Sequence, residues 1–295
     1  MSSACDCNLF LFADDSALLV SGKDHLQVEK TLNSELSKIC TWLNDNKLSI
    51  HLGKTESILF GSNHNLKKVD NFTIKVGDKV ITRKNEISYL GCILEANLSS
   101  EKMTSKVINK INQRTRFLQR IAPMVNFNTL KTIAGAIIQP LFDYGVHVWY
   151  RDAPQALKTK LQTAQNKLIR VLLHLPYQTH LTATHQLRVG WLRVDDRVQQ
   201  LAMGLVFKIH YTTMIPKYLS KYFINIKDVH NYNTRGSATD HFQPRVKTNK
   251  GSNSFFCYTT KMWKALPKAI KECGSLASFK IALKNHLQAA AVRNW

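Results

Sequence analysis

Between Glu101 and Asp143 the chain carries no acidic residue, yet it carries Lys102, Lys106, Lys110, Arg114, Arg116 and Arg120. Interleaved with these, Val107, Ile108, Ile111, Leu118 and Ile121 form an apolar stripe at helical spacing. Such a stretch folds as an amphipathic helix that buries one side and presents an unrelieved basic face on the other. The segment between Asp152 and Asp195 has the same design, again without an acid. There Leu157, Leu161, Ala164, Leu168 and Leu172 fall on one side of a helix, with Lys158, Lys160, Lys167 and Arg170 outward. Residues 128 to about 150 read as an apolar helix kinked by Pro140, which lacks an amide hydrogen. It ends in the cluster Phe142, Tyr144, Trp149 and Tyr150. A further helix is expected around 195–211 from Val198, Leu201, Leu205 and Ile209. The polar stretch 225–253 reads as a long loop, and two short helices are expected beyond it, around Trp263 and Phe279.

Charge separates this helical part from what precedes it. Residues 1–101 carry 11 Lys+Arg against 13 Asp+Glu, whereas residues 102–295 carry 30 against 7. A near-neutral first third joined to a strongly basic remainder points to a polyanionic partner, most simply nucleic acid, bound by phosphate neutralisation and counterion release. A generically basic surface is the competing explanation. Hydrophobic residues make up 44% of the chain, which argues for a folded protein. No apolar run approaches the roughly 20 residues that span a bilayer, and the start Met-Ser-Ser-Ala-Cys-Asp does not read as a signal peptide. The six cysteines show no framework spacing; Cys5-x-Cys7 is too isolated for a zinc knuckle, and reduced thiols of an intracellular protein, nuclear or cytoplasmic, are expected. His180 and His185 are better explained by a solvated loop than by a metal, and Trp149, Tyr150, Trp191 and Trp263 by a core than by base stacking.

The first third has an α+β pattern with a mostly antiparallel sheet. Two apolar runs, Asn8–Phe12 and Ser16–Val20, flank Asp14 and Asp15, predicting a β-hairpin with the acids at its tip. Asp24 and Gln27 form a capping-box pattern ahead of a helix from about 25 to 45, marked by Val28, Leu32, Leu36, Ile39 and Leu43. β-type stretches are expected at 48–50, 57–60, 72–76, 79–82 and 87–94, with a hairpin turn at Gly77-Asp78. By itself an Asp-Asp pair is far more often a solvated turn, since turns favour Asp for its backbone hydrogen bonds. Adjacent carboxylates also suit a hard divalent cation such as Mg²⁺, which takes oxygen ligands.

Phe12-Ala13-Asp14-Asp15 between apolar strands resembles the [YF]-A-D-D motif of the reverse-transcriptase palm. In order along the chain follow Trp42-Leu43-Asn44 with Asn46-Lys47-Leu48, Gly53-Lys54-Thr55-Glu56, Ile87-Ser88-Tyr89-Leu90-Gly91, Pro140-Leu141-Phe142-Asp143-Tyr144-Gly145, and Trp263-Lys264-Ala265-Leu266-Pro267. Together they resemble non-LTR (LINE-type) retrotransposon reverse transcriptases of the jockey-like kind over nearly the whole chain. The resemblance implies part of a palm in residues 1–98, a helical thumb in 99–176 and a basic helical extension in 177–295.

It also implies two-metal nucleotidyl transfer with Mg²⁺, an RNA template and a DNA primer. Asp14 would be a metal ligand, Asp15 a supporting acid, and Lys54 a proton donor to pyrophosphate. Ile87 to Gly91 would be the primer-grip hairpin, whose Tyr89-Leu90-Gly91 turn would hold the primer end. Lys102, Lys106, Lys110, Arg114, Arg116, Arg120, Lys167 and Arg170 would hold the duplex. The family carries a further catalytic aspartate, fingers and a Gly-rich segment upstream of the hairpin, and Met1 resembles an internal methionine of such a frame. The chain is therefore expected to bind nucleic acid but to be inactive as a polymerase on its own; a domesticated, non-catalytic binding or scaffold protein is the rival reading.

Overall fold

A computed structural model of the protein describes residues 5–211, 215–226, 229, 240–243 and 245–293. The chain divides into two compact units, Met1–Ser99 and Ser100–Trp295.

In the first unit β1 (Asn8–Phe12) and β2 (Asp15–Leu19) pair antiparallel, with Phe12 opposite Asp15. The two-residue turn is thus Ala13-Asp14, with Ala13 at φ 51° in the left-handed region, so Asp15 opens the second strand instead of sharing the tip. A left-handed alanine costs about 1 kcal/mol or more, which the ladder on either side offsets. The helix α1 (His25–Asp45) begins at Asp24, whose carboxylate accepts from Leu26 N at 3.3 Å. Its stripe of Val28, Leu32 and Leu36 packs on the buried Phe72, Ile74 and Ile81. Residues 48–50 and 57–60 are not strands: only Ser57 finds a partner, in an isolated bridge to Arg83. A short helix, α2 (Asn63–Leu66), follows under a Ser62 cap.

Then come β3 (Ile74–Val76) and β4 (Lys79–Ile81), joined through Gly77 at φ 57°. Asn33 of α1 clamps this hairpin, donating to Thr73 O at 3.0 Å and accepting from Lys75 N at 2.8 Å. The expected single strand 87–94 is a hairpin, β5 (Glu86–Tyr89) with β6 (Cys92–Glu95). Its turn residues Leu90 and Gly91 are both left-handed, at φ 46° and 79°, as a two-residue turn matched to strand twist requires. The unit is α+β and antiparallel as expected, but its strands form three separate two-stranded sheets, not one.

The second unit is helical. Its elements are α3 (Glu101–Ile121), a 3₁₀ turn (Ala122–Met124), α4 (Phe127–Ile137), α5 (Gln139–Asp143), α6 (Val146–Trp149) and α7 (Gln155–Leu172). There follow α8 (Ala183–Val189), α9 (Val194–Tyr211), α10 (Lys217–Ser220), α11 (Asn249–Asn253), α12 (Phe255–Ala265), α13 (Lys268–Lys271) and α14 (Leu276–Arg293). The kinked helix expected over 128–150 is three segments. Pro140 sits in the first turn of α5, where its missing N–H is harmless, and Gly145 turns the chain left-handed at φ 58° before α6. Helices form at both places expected, α12 around Trp263 and α14 around Phe279, but α14 is long, at 18 residues, and the short α13 lies between them; α8 arises from a polar stretch without an evident apolar period. Of the stretch 225–253, expected to be a loop, residues 227–228, 230–239 and 244 lie outside the described residues; in the rest Asn225 bridges His241 and α11 forms.

α3 packs along α7, burying Val107, Ile111 and Leu118 with Leu161, Leu168 and Leu172 in the unit's interior. Around α9, Met203, Val206 and Phe207 meet Trp263 of α12 and Phe279 and Leu283 of α14. Polar bonds tie the elements on either side of Pro176 into this one unit. Gln165 donates to Leu192 O at 2.9 Å, and Val194 N donates to Gln162 at 3.0 Å. Among the described residues no helix is long and apolar enough to cross a membrane.

A buried ion pair closes the region next to α13: Lys271 Nζ lies 2.9 Å from Asp240 Oδ1, each side chain 7% exposed, and Lys271 also donates to Lys264 O at 3.2 Å. Removing one partner leaves the other charge buried and unpaired. Asp240→Ala is therefore expected to lower the stability of the second unit by about 3–5 kcal/mol in urea unfolding, and Asp240→Leu combined with Lys271→Met to recover most of that loss.

Candidate nucleic-acid interface

The sequence places its cations on α3, and the fold decides which remain available. Lys102, Lys106, Arg116 and Arg120 fall within an arc of about 80° directly opposite Ile111, with Lys110 at its margin. Lys102, Lys110, Arg116 and Arg120 are exposed and Lys106 is half-exposed. The row from Lys102 to Arg120 runs for about 27 Å along the helix axis. Lys106, Lys110, Arg116 and Arg120 have no carboxylate partner among the described residues.

Among the described residues Asp143, Asp152, Asp195, Asp240 and Glu272 are engaged within the unit itself. Asp143 receives Arg197 through both oxygens, at 3.0 and 2.6 Å, and Gln139 at 3.1 Å, joining α5 to α9. Asp152 pairs with Lys250 at 3.3 Å and accepts from Asn253 at 3.2 Å. Asp195 accepts from the Tyr150 hydroxyl at 2.8 Å, and burial together with this carboxylate raises the Tyr150 pKa so that it stays the donor. Asp240 holds Lys271, and Glu272 holds Lys268 at 3.6 Å. Burial pushes the Asp196 carboxyl up. Burial likewise pushes His147 and His241 down to about 4, so neither adds positive charge at neutral pH.

Three expected surface cations are corrected. Arg114 lies beside the interior and donates from Nη1 to the carbonyl of Ile137, satisfying the C-terminal end of α4. Arg170 donates from Nε to Thr179 O at 3.0 Å, with its guanidinium 5.9 Å from the Tyr177 ring. Lys158 turns back to Arg151 O at 2.9 Å and over the Tyr150 ring at 5.3 Å; burial next to Arg151 holds its pKa below the ordinary lysine range. On α7 the outward cations are Lys160, exposed, and Lys167, half-exposed. Helical spacing cannot distinguish a cation that reaches solvent from one that finds a carbonyl about 23 residues away.

In the first unit Asp14 and Asp15 are exposed on the bare β1–β2 hairpin, Lys54 is exposed in the turn at 52–54, and Tyr89-Leu90-Gly91 forms the β5–β6 turn. Among the described residues no ion pair joins Lys54 to Asp14 or Asp15. Mg²⁺ takes about six oxygen ligands in near-octahedral geometry. Among the described residues no third carboxylate, cysteine or histidine gathers with Asp14 and Asp15, so these residues do not fit a catalytic metal pair. The hairpin exposes Phe10, Leu11 and Phe12, the last by 63%.

Comparison with family models, with curated proteins and with solved structures gives no match.

The division of labour among the α3 cations is measurable. Arg114→Ala is expected to destabilise the second unit by about 1.5–3 kcal/mol, the worth of a charged hydrogen bond, while Arg116→Ala and Arg120→Ala change it by less than about 0.5 kcal/mol. Urea unfolding of the three variants checks this.

Proposed function

We propose that the chain is a portion of a LINE-type reverse transcriptase whose activity, as this chain, is to bind nucleic-acid duplex through the solvent face of α3 and the adjoining α7. The observation that carries the reading is the allocation of charge: among the described residues Asp143, Asp152, Asp195, Asp240 and Glu272 are engaged within the second unit, and Lys106, Lys110, Arg116 and Arg120 of α3 have no carboxylate partner. A duplex brings phosphates at regular spacing to such a row, and each neutralised phosphate releases condensed counterions. Because the contacts go to the backbone, the binding discriminates little between sequences.

In this reading the β1–β2 hairpin, α1 and the two later hairpins correspond to part of a palm, and the helices from α3 onward to the thumb and extension. Support comes from the order of the motifs along the chain and from the hairpin that carries Phe12-Ala13-Asp14-Asp15. Residues Lys54 and Tyr89 to Gly91 would contact the primer only in a complete polymerase. Mg²⁺, an RNA template and a DNA primer belong to that complete enzyme, and no catalytic step is assigned to Asp14 and Asp15 here.

Two outcomes are expected. The affinity for a duplex falls steeply with salt, and replacing Lys106, Lys110, Arg116 and Arg120 together by Gln makes the slope of log K against log salt shallower by about 3–4, with stability nearly unchanged; an affinity flat across salt overturns the reading. Primer extension on an RNA template with Mg²⁺ or Mn²⁺ is undetectable for this chain, and extension that Asp14→Ala abolishes would reinstate catalysis by the pair.

A further inference from the structure

We infer that Cys5, Cys7 and Glu35 form a binding site for a thiophilic divalent cation, Zn²⁺ foremost, at the base of the β1–β2 hairpin. The two thiols flank Asp6 in the bend before β1, and Glu35 comes from the middle of α1. One ligand atom from each of the three lies within 4.8 Å of the other two. Donors around a tetrahedral zinc, with Zn–S about 2.3 Å and Zn–O about 2.0–2.2 Å, stand roughly 3.5–3.8 Å apart. A small contraction therefore closes the site.

The surroundings are those of a prepared ligand. The Glu35 side chain is 8% exposed, and each of its oxygens is already oriented by one hydrogen bond. Asp6 N donates to Oε2 at 2.7 Å, and Lys38 Nζ donates to Oε1 at 2.7 Å while holding Asp6 Oδ2 at 2.7 Å. Both carboxylate oxygens keep a second lone pair, and hydrogen bonding of a ligating carboxylate by an outer shell is what fixes its direction. The same bonds dock the Cys-x-Cys bend on α1, with Cys5 Sγ 4.0 Å from Cys7 O, so the sulfurs are delivered to the carboxylate by the backbone itself.

Charge selects the occupant. Two thiolates, the buried Glu35 carboxylate and the exposed Asp6 carboxylate amount to four negative charges; Lys38, shared by Asp6 and Glu35, supplies one positive, and a divalent cation supplies two, which leaves one negative charge, that of Asp6 at the solvent surface. Two sulfurs choose Zn²⁺ or Cd²⁺ over Mg²⁺ or Ca²⁺, which take oxygen donors. Three protein donors leave the fourth tetrahedral position to water, and Cys5 and Cys7 are both only half-buried. The inference stands apart from the nucleic-acid reading, since it involves other residues in the other unit.

Co²⁺ titrated into the reduced full-length chain provides the test. One equivalent is expected to bind with a thiolate-to-cobalt charge-transfer band, and Zn²⁺ should displace it. Cys5→Ser and Cys7→Ser should each weaken binding by at least about 10–100-fold, the loss known for even supporting residues. Glu35→Gln should weaken binding while the sulfur band persists. Cys40→Ser, a half-buried thiol elsewhere on α1, should change nothing. Cys7→His keeps a zinc donor, so it should retain Zn²⁺ with about half the sulfur band even if the serine variants unfold. No band in the unaltered chain, a band that survives in the Cys5→Ser/Cys7→Ser double variant, or one removed by Cys40→Ser overturns the inference.

Discussion

The second unit rests on a contest between two sides of one helix. On α3, Val107, Ile111 and Leu118 are buried against their neighbours, each contributing about 1.5–3 kcal/mol by leaving water. On the far side, cations one turn apart repel each other by about 0.2–0.5 kcal/mol per pair. Burial wins by magnitude, so the helix stands without a single acid after its first residue. The repulsion is not removed, however; it persists as a surface potential that a polyanion relieves. In the proposed function, binding of phosphate would be the complement of how the helix is stabilised.

That surplus exists because acids and bases are sorted by depth. Asp143 is committed to Arg197, Asp195 to Tyr150 and Asp240 to Lys271, each linking elements far apart in sequence. Carboxylates so placed act as internal fasteners. The cations that exceed them either find carbonyls, as Arg114 and Arg170 do, or face solvent. The first unit follows another economy: near-neutral, with a modest core of Phe72, Ile74 and Ile81 under α1, and three hairpins that do not merge. Two of its tight turns hold non-glycine residues, Ala13 and Leu90, in the left-handed region, which the flanking ladders sustain.

Long periodic segments were legible before any coordinates. His25–Asp45, Glu101–Ile121, Gln155–Leu172 and Val194–Tyr211 lie within a few residues of the expected helices, since a stripe at helical spacing has one way to be buried. Short elements were not legible. Residues 48–50 and 57–60 have strand-like composition, yet a strand exists only with a partner, and only Ser57 has one. By composition Leu90-Gly91 lies inside one β-type stretch, and only the resemblance placed a turn there; the reversal was not legible in the residues themselves, because the pairing of Tyr89 with Cys92 is a property of two segments. Similarly Glu35 carries no local sign that it meets Cys5 and Cys7: its separation from them follows no ligand spacing.

Sequence alone therefore determined the charge division near residue 101, the long periodic helices that follow it, and the cations of α3, because periodicity and net charge are local or additive quantities. Tertiary structure alone decided which of those cations face water, where the acids are spent, that Asp15 begins a strand while Asp14 occupies the turn, and that two thiols and a carboxylate share one place. Each of these is a matter of distance between residues remote along the chain, and distance is set only when the apolar faces find one another.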